Sequence, residues 1–195
     1  MNIQDTNLKF DCEKLGMYQI KQYEHDLLYH ADIVALGMVR RLTHVALHLS
    51  KYAYGISLPR NTERFKKDYT DAFIMVVSAS NILSMDLSAS NILSMDSSEH
   101  EDSDEYLCDS FLSNYLYLSS IFSKSCESYD HFEEHTFHAS WKESTYSLFK
   151  SFEKDSFERD IDLIRLANER LNNVETKITS TNIKYKIENK LKIVK

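Results

Sequence analysis

Apolar residues at Met38, Leu42, Val45, Leu49, Tyr52 and Ile56 recur at alternating steps of four and three, the spacing of one face of an α-helix. Gly55 and then Pro59 read as its stop signals. The loop SLPRN leads to Thr62, an N-cap residue type, with Glu63 in the following first turn. A second helix is predicted from Thr62 to Asp86. Its centre, AFIMVV over residues 72–77, is apolar on every side, which predicts the most buried helix of the domain. Leu107–Tyr129 places Phe111, Tyr115, Leu118 and Phe122 on one helical face. Trp141–Phe152 and Phe157–Val174 continue the pattern, and Phe10–His30 is a weaker amphipathic segment. Beyond Lys177 the apolar positions fit both a strand (Ile183, Tyr185, Ile187) and a helix (Ile183, Ile187, Leu191, Val194).

Residues 78–86 read SASNILSMD, and residues 88–96 repeat them without change. So short and perfect an echo is a local duplication rather than a structural repeat of roughly 20–50 residues. A helix carried through both copies would turn about 1000°, roughly 80° short of three full turns, and would present a rotated face. The helix is therefore expected to break near residues 86–88. The second copy then lengthens a surface connection, which such loops tolerate.

Three glycines and one proline in 195 residues are too few for the turns of a sheet protein. The expected fold is all-α, a helical bundle of about five helices. Residues 1–177 would form one domain, with the acidic stretch SSEHEDSDE (97–105) as a linker within it. Residues 178–195 would form a basic tail; from Lys177 onward there are six lysines and one glutamate. A net charge of −7 argues against nucleic-acid binding. The polar N-terminus and the lack of a long apolar run argue against a leader or membrane span. Cys12, Cys108 and Cys126 form no CxxC motif and suit a reducing cytoplasm.

Three constellations can carry chemistry. Asp68 and Asp71 are spaced i, i+3 on the buried helix, and a carboxylate there needs a cation, a metal ion or hydrogen-bond donors. A salt bridge to Arg40, Arg41 or Lys51 is the structural alternative. Glu127 and Asp130 repeat the spacing on a later helix, where a solvated helix end is the plainer reading. Two such pairs would suit Mg²⁺, which prefers oxygen ligands. Arg41, His44, His48 and Lys51 form a stripe beside the apolar seam. Its two basic residues suit an anion such as phosphate, or the aspartates of the next helix, better than a cation. Arg41 and His48 also fit the loose arginine-then-histidine spacing of some helical ribonucleases. HFEEH (131–135) matches a five-residue zinc pattern, but the acidic helix and long peptidase domain that should accompany it are missing.

The pair RRLTHVALHLSKYAYG and DYTDAFIMVVSASNILSMDL resembles the MazG-like all-α nucleotide pyrophosphohydrolases, over about residues 38–88. Their pattern is E-E-x-x-E on one helix and E-x-x-D on the next. Asp68-Tyr-Thr-Asp71 stands where E-x-x-D would, and Met85-Asp86-Leu87 closes the helix in a similar way. Leu47, His48 and Lys51 occupy the three glutamate positions, so the usual metal site cannot assemble from these helices alone. The resemblance implies a nucleotide-binding or nucleoside-triphosphate-hydrolysing protein with a degenerate or rearranged acidic site. Asp68, Asp71, Glu127 and Asp130 would be its metal ligands and Mg²⁺ its cofactor. Arg41, His48 and Lys51 would contact substrate, and a homo-oligomer is implied. A non-enzymatic helical interaction protein is the alternative.

Overall fold

The computed structural model describes residues 10–88, 110–133 and 136–193, with side chains as far as Ser180. The fold is all-α. Among the described residues there are seven helices rather than about five, and no strand. They are α1 (Cys12–Tyr29), α2 (Ala31–Val34), α3 (Met38–Ser57), α4 (Glu63–Ile82), α5 (Phe111–Asp130), α6 (Phe137–Glu158) and α7 (Leu163–Ile193). The extra elements have simple causes. The segment between α1 and α3 forms a single additional turn, and the ambiguous tail continues α7 as helix to Ile193. No helix among the described residues is long and apolar enough to cross a membrane.

The apolar helix lies where its composition puts it. α4 packs against α1, α3, α6 and α7, and Ala72, Phe73, Val76 and Val77 are buried. Aromatic rings fill the layer between α4, α5 and α6. Phe152 lies 4.9 Å from Phe111, 5.0 Å from Tyr69 and 5.8 Å from Phe73, centroid to centroid. These are separations at which tilted and edge-on rings attract. α1 is unusual: it buries Gln22 and His25 while exposing Met17, Ile20, Leu27 and Leu28.

Three helices end the same way. Ser84, Phe132 and Asp160 have φ of 55°, 55° and 54°. At each, the next amide reaches back five residues: Met85 to Ser80, Glu133 to Ser128 and Ile161 to Ser156. This is the left-handed cap that glycine normally supplies, here built without glycine. The cap at Ser84 corrects the expected break near residues 86–88. α4 stops at Ile82, inside the first SASNILSMD copy, because the cap captures the last carbonyls there. The second copy lies almost wholly outside the described residues. The cap at Asp160 likewise places the α6–α7 break after Glu158, where the pattern of apolar positions suggested a gap at residues 153–156. Replacing the 96 % exposed Phe132 by glycine should stabilise the fold by about 1 kcal/mol, raising Tm by roughly 2–4 °C in a thermal melt. An unchanged or lowered Tm would count against this cap.

Candidate functional site

The site is built on the α3–α4 hairpin. Thr62 joins its two arms: its hydroxyl accepts from the Phe65 amide at 3.1 Å and donates to the Pro59 carbonyl at 2.7 Å. The cap fixes the start of α4 and therefore which residues face α3. Gly55, read above as a stop signal, lies inside α3 and has no positive φ. Its role is steric. A Cβ on Gly55 would lie 2.6 Å from Asp68 Cγ and 2.7 Å from Asp68 Cβ, so only glycine lets α4 bring this carboxylate against the α3 backbone.

The Asp68 side chain is 1 % exposed and that of Asp71 10 % exposed. Both are held by cations. Asp68 accepts from Arg64 Nε and from Lys67 Nζ at 3.3 Å. Asp71 accepts from Lys67 Nζ at 3.1 Å and takes a two-pronged contact from Arg170 on α7, Nε at 2.6 Å and Nη2 at 3.2 Å. Lys67 thus bridges the two aspartates. The ion pairs form with Arg64, Lys67 and Arg170, not with Arg40, Arg41 or Lys51. The two carboxylates meet three cations, so neither is left as an uncompensated buried charge.

Across α3, the basic stripe borders a cavity of about 210 Å³ between α1, α3, α4 and α7. Arg41, His44 and His48 line it from α3, and Arg170 from α7; Ile74 and Met75 form part of its apolar wall. Asp26 lies on the α1 side, where it accepts from Ser78 Oγ at 2.7 Å and Gln22 Nε2 at 2.9 Å. His25 is buried and meets Glu175 at 3.0 Å. Of the residues expected to contact substrate, Arg41 and His48 line the cavity. Lys51 does not; its Nζ lies 4.6 Å above the Tyr52 ring and 3.2 Å from His48 Nδ1.

That last contact sets the state of His48. Lysine only donates, so Nδ1 is the accepting nitrogen and the neutral ring carries its proton on Nε2. Burial, with the Lys51 and His44 charges, pushes His48 down to about 4. Burial, His30 and Lys51 lower His44 as well. The Tyr52 hydroxyl, 3.1 Å from His48 Nδ1, is held above its ordinary pKa by burial and by Asp71 and Asp68. Unfolding releases His48 to its ordinary value of 6.5, so between pH 6.5 and 4 the unfolded chain binds the extra proton. His48 therefore destabilises the fold as pH falls through that window. Asp155 acts in the opposite sense, because burial raises it to about 6. The His48→Gln variant should accordingly gain stability relative to the parent as pH drops from 6.5 to 4, by urea unfolding at each pH. A pH-independent difference would contradict the state assigned to His48.

The residues present do not suit Mg²⁺. The carboxylates of Asp68 and Asp71 already accept from lysine and arginine, and a divalent ion beside Lys67 and Arg170 would be repelled. Glu127 and Asp130 are exposed at the end of α5, where Glu127 pairs with Lys124 at 3.3 Å. Among the described residues no three His, Cys, Asp or Glu side chains gather as metal ligands. The four expected metal ligands therefore do not converge on one ion. In the HFEEH segment, His131 and Phe132 form the α5 cap and Glu133 accepts from Ser128 at 2.8 Å. Glu134 and His135 lie outside the described residues.

No family model matches the chain, nor does any curated protein or solved structure. Two participants had no clear signal in the sequence: Arg170, 99 positions from Asp71, and the α1 wall of the cavity, whose polar residues face inward.

Proposed function

We propose that this chain is a nucleotide-binding protein related to the MazG-like pyrophosphohydrolases, with its acidic metal site rearranged into an ion-pair network. The observation that carries this reading is the convergence of Arg41, His44, His48 and Arg170 on one largely apolar cavity. Such a lining takes a molecule with an apolar ring and an anionic end: the base against Ile74 and Met75, the phosphate against Arg41 and the α3 histidines. Arg170 uses Nε and Nη2 on Asp71, which leaves Nη1 outside that pair. Binding of a phosphate would draw protons onto His44 and His48, whose neutral state rests on burial among other cations. Because Asp68 and Asp71 are occupied by cations, this binding needs no metal ion. The exposed apolar face of α1 supports the expected self-association.

The test is calorimetric titration of nucleoside mono- and triphosphates in EDTA, with light scattering on the same samples for the assembled mass. Saturable binding is expected, weakened at least about tenfold by Arg41→Gln, the loss of one charge-assisted contact. A parallel hydrolysis screen with Mg²⁺ or Mn²⁺ decides the enzymatic question. Turnover that Asp71→Ala abolishes would overturn the metal-free reading.

A further inference from the structure

A second cavity, of about 520 Å³, opens between the start of α4, the start of α5 and the outer face of α6. It shares no lining residue with the first and falls within the roughly 300–1,000 Å³ typical of small-molecule sites. Four cations line it: Arg60, Lys150, Lys154 and Arg159. Two carboxylates, Asp155 and Glu158, stand against them, in a chain whose net charge is −7. Asp155 is already engaged, accepting from the Tyr69 hydroxyl at 2.9 Å and pairing with Arg159. Lys150 pairs with Glu153. The Arg60 and Lys154 side chains are exposed and form no hydrogen bond or ion pair with any described residue, while the Arg60 charge acts on Asp155. The opposite wall is apolar, formed by Ile56, Phe65, Phe111 and Leu112.

Two polar atoms of lining residues are buried without a partner: Arg159 Nε, a donor, and Asn114 Oδ1, an acceptor. Buried donors and acceptors ordinarily have a partner, so these two atoms mark an imperfectly satisfied wall beside the cavity. The first turn of α5, capped by Ser110 through the Ser113 amide at 3.2 Å, borders the same space and adds a positive dipole end.

We propose that this cavity is a second ligand site, for a small molecule that joins a phosphate group to a flat apolar body. The phosphate sits among Arg60, Lys154 and Arg159 and accepts from the exposed Arg60 and Lys154 side chains. The ring lies against the apolar wall beside Phe65 and Phe111. A phosphate fits better than a single carboxylate because it offers several cations separate acceptor oxygens.

Phenyl phosphate is the probe, titrated into the full chain carrying Arg41→Gln, in which the first cavity binds at least about tenfold more weakly. Inorganic phosphate and benzyl alcohol test each half of the ligand alone. Saturable binding of phenyl phosphate is expected, with both halves weaker by roughly tenfold or more, since each keeps only part of the contact energy. Adding Arg60→Gln and Lys154→Gln should remove at least about another tenfold. Both side chains are exposed, and the fold loses only the action of the Arg60 charge on Asp155, so the melting temperature should fall little. The ¹H–¹⁵N signal of Arg159 Nε–H should shift on binding in the Arg41→Gln chain. Absence of saturable binding, or an affinity indifferent to the Arg60 and Lys154 replacements, would overturn the proposal. Nucleotide binding to the first cavity would stand or fall separately, on Arg41.

Discussion

The Gly55→Val chain should lose about 3 kcal/mol, the upper end of overpacking costs, and melt roughly 6–12 °C lower than the parent. Gly55 lies inside α3, where a side chain would ordinarily improve helix propensity. The sign is reversed because even a methyl group at this position meets Asp68 Cβ at 2.7 Å. That carbon is fixed to the α4 backbone and cannot rotate away, so the helices must part. Separation would loosen the seal around Asp68 and disturb its contacts with Arg64 and Lys67. The cause can be isolated by a cycle with Asp68→Gly, which removes the opposing Cβ. Gly55→Ala should cost at least about 1 kcal/mol less in that background than in the parent, a coupling typical of residues in contact. Additive losses would mean that Gly55 matters for some other reason.

The Asp71→Ala change should cost about 2 kcal/mol. Breaking a fully buried pair costs about 3–5 kcal/mol, but the Arg170 side chain is 33 % exposed, so water recovers part of the loss. Lys67 keeps Asp68 and suffers little. In an Arg170→Met background the same change should cost less than half as much, because no arginine is then left unpaired. Urea unfolding of the four chains gives the coupling directly. An equal cost in both backgrounds would separate Asp71 from Arg170.

The helices were legible because their apolar spacing is regular, and α4 was legible as the central one because no face of its middle is polar. The ends were less so. α4, α5 and α6 stop at left-handed caps on Ser84, Phe132 and Asp160, none of them the glycine that usually marks such a cap in a sequence. Gly55 misled because a glycine near a helix end looks like a cap, and only the opposing helix reveals the close approach. The pairing of Asp68 and Asp71 with cations was partly readable: Arg64–Asp68 and Lys67–Asp71 are both i, i+4 pairs on one helix. Arg170 was not, since only the packing of α7 on α4 brings it there. The cavity on the Arg41–His48 stripe needed α1, a helix that turns glutamine and histidine inward and leaves leucines outside. No periodicity argument anticipates that inversion. The second cavity was missed altogether because its cations come from the α3–α4 loop and from α6, with no local motif to join them.

The most direct test of the ion-pair reading is the affinity of a nucleoside monophosphate in EDTA for the parent and for Asp71→Asn. Asparagine keeps the shape of the side chain and removes the charge that holds Arg170. If the cavity is a metal-free anion site, the parent binds and Asp71→Asn binds several-fold tighter, because Arg170 is freed and a neighbouring negative charge is gone. If binding instead requires Mg²⁺ and Asp71→Asn abolishes it, the aspartate is a metal ligand and the ion-pair account is wrong.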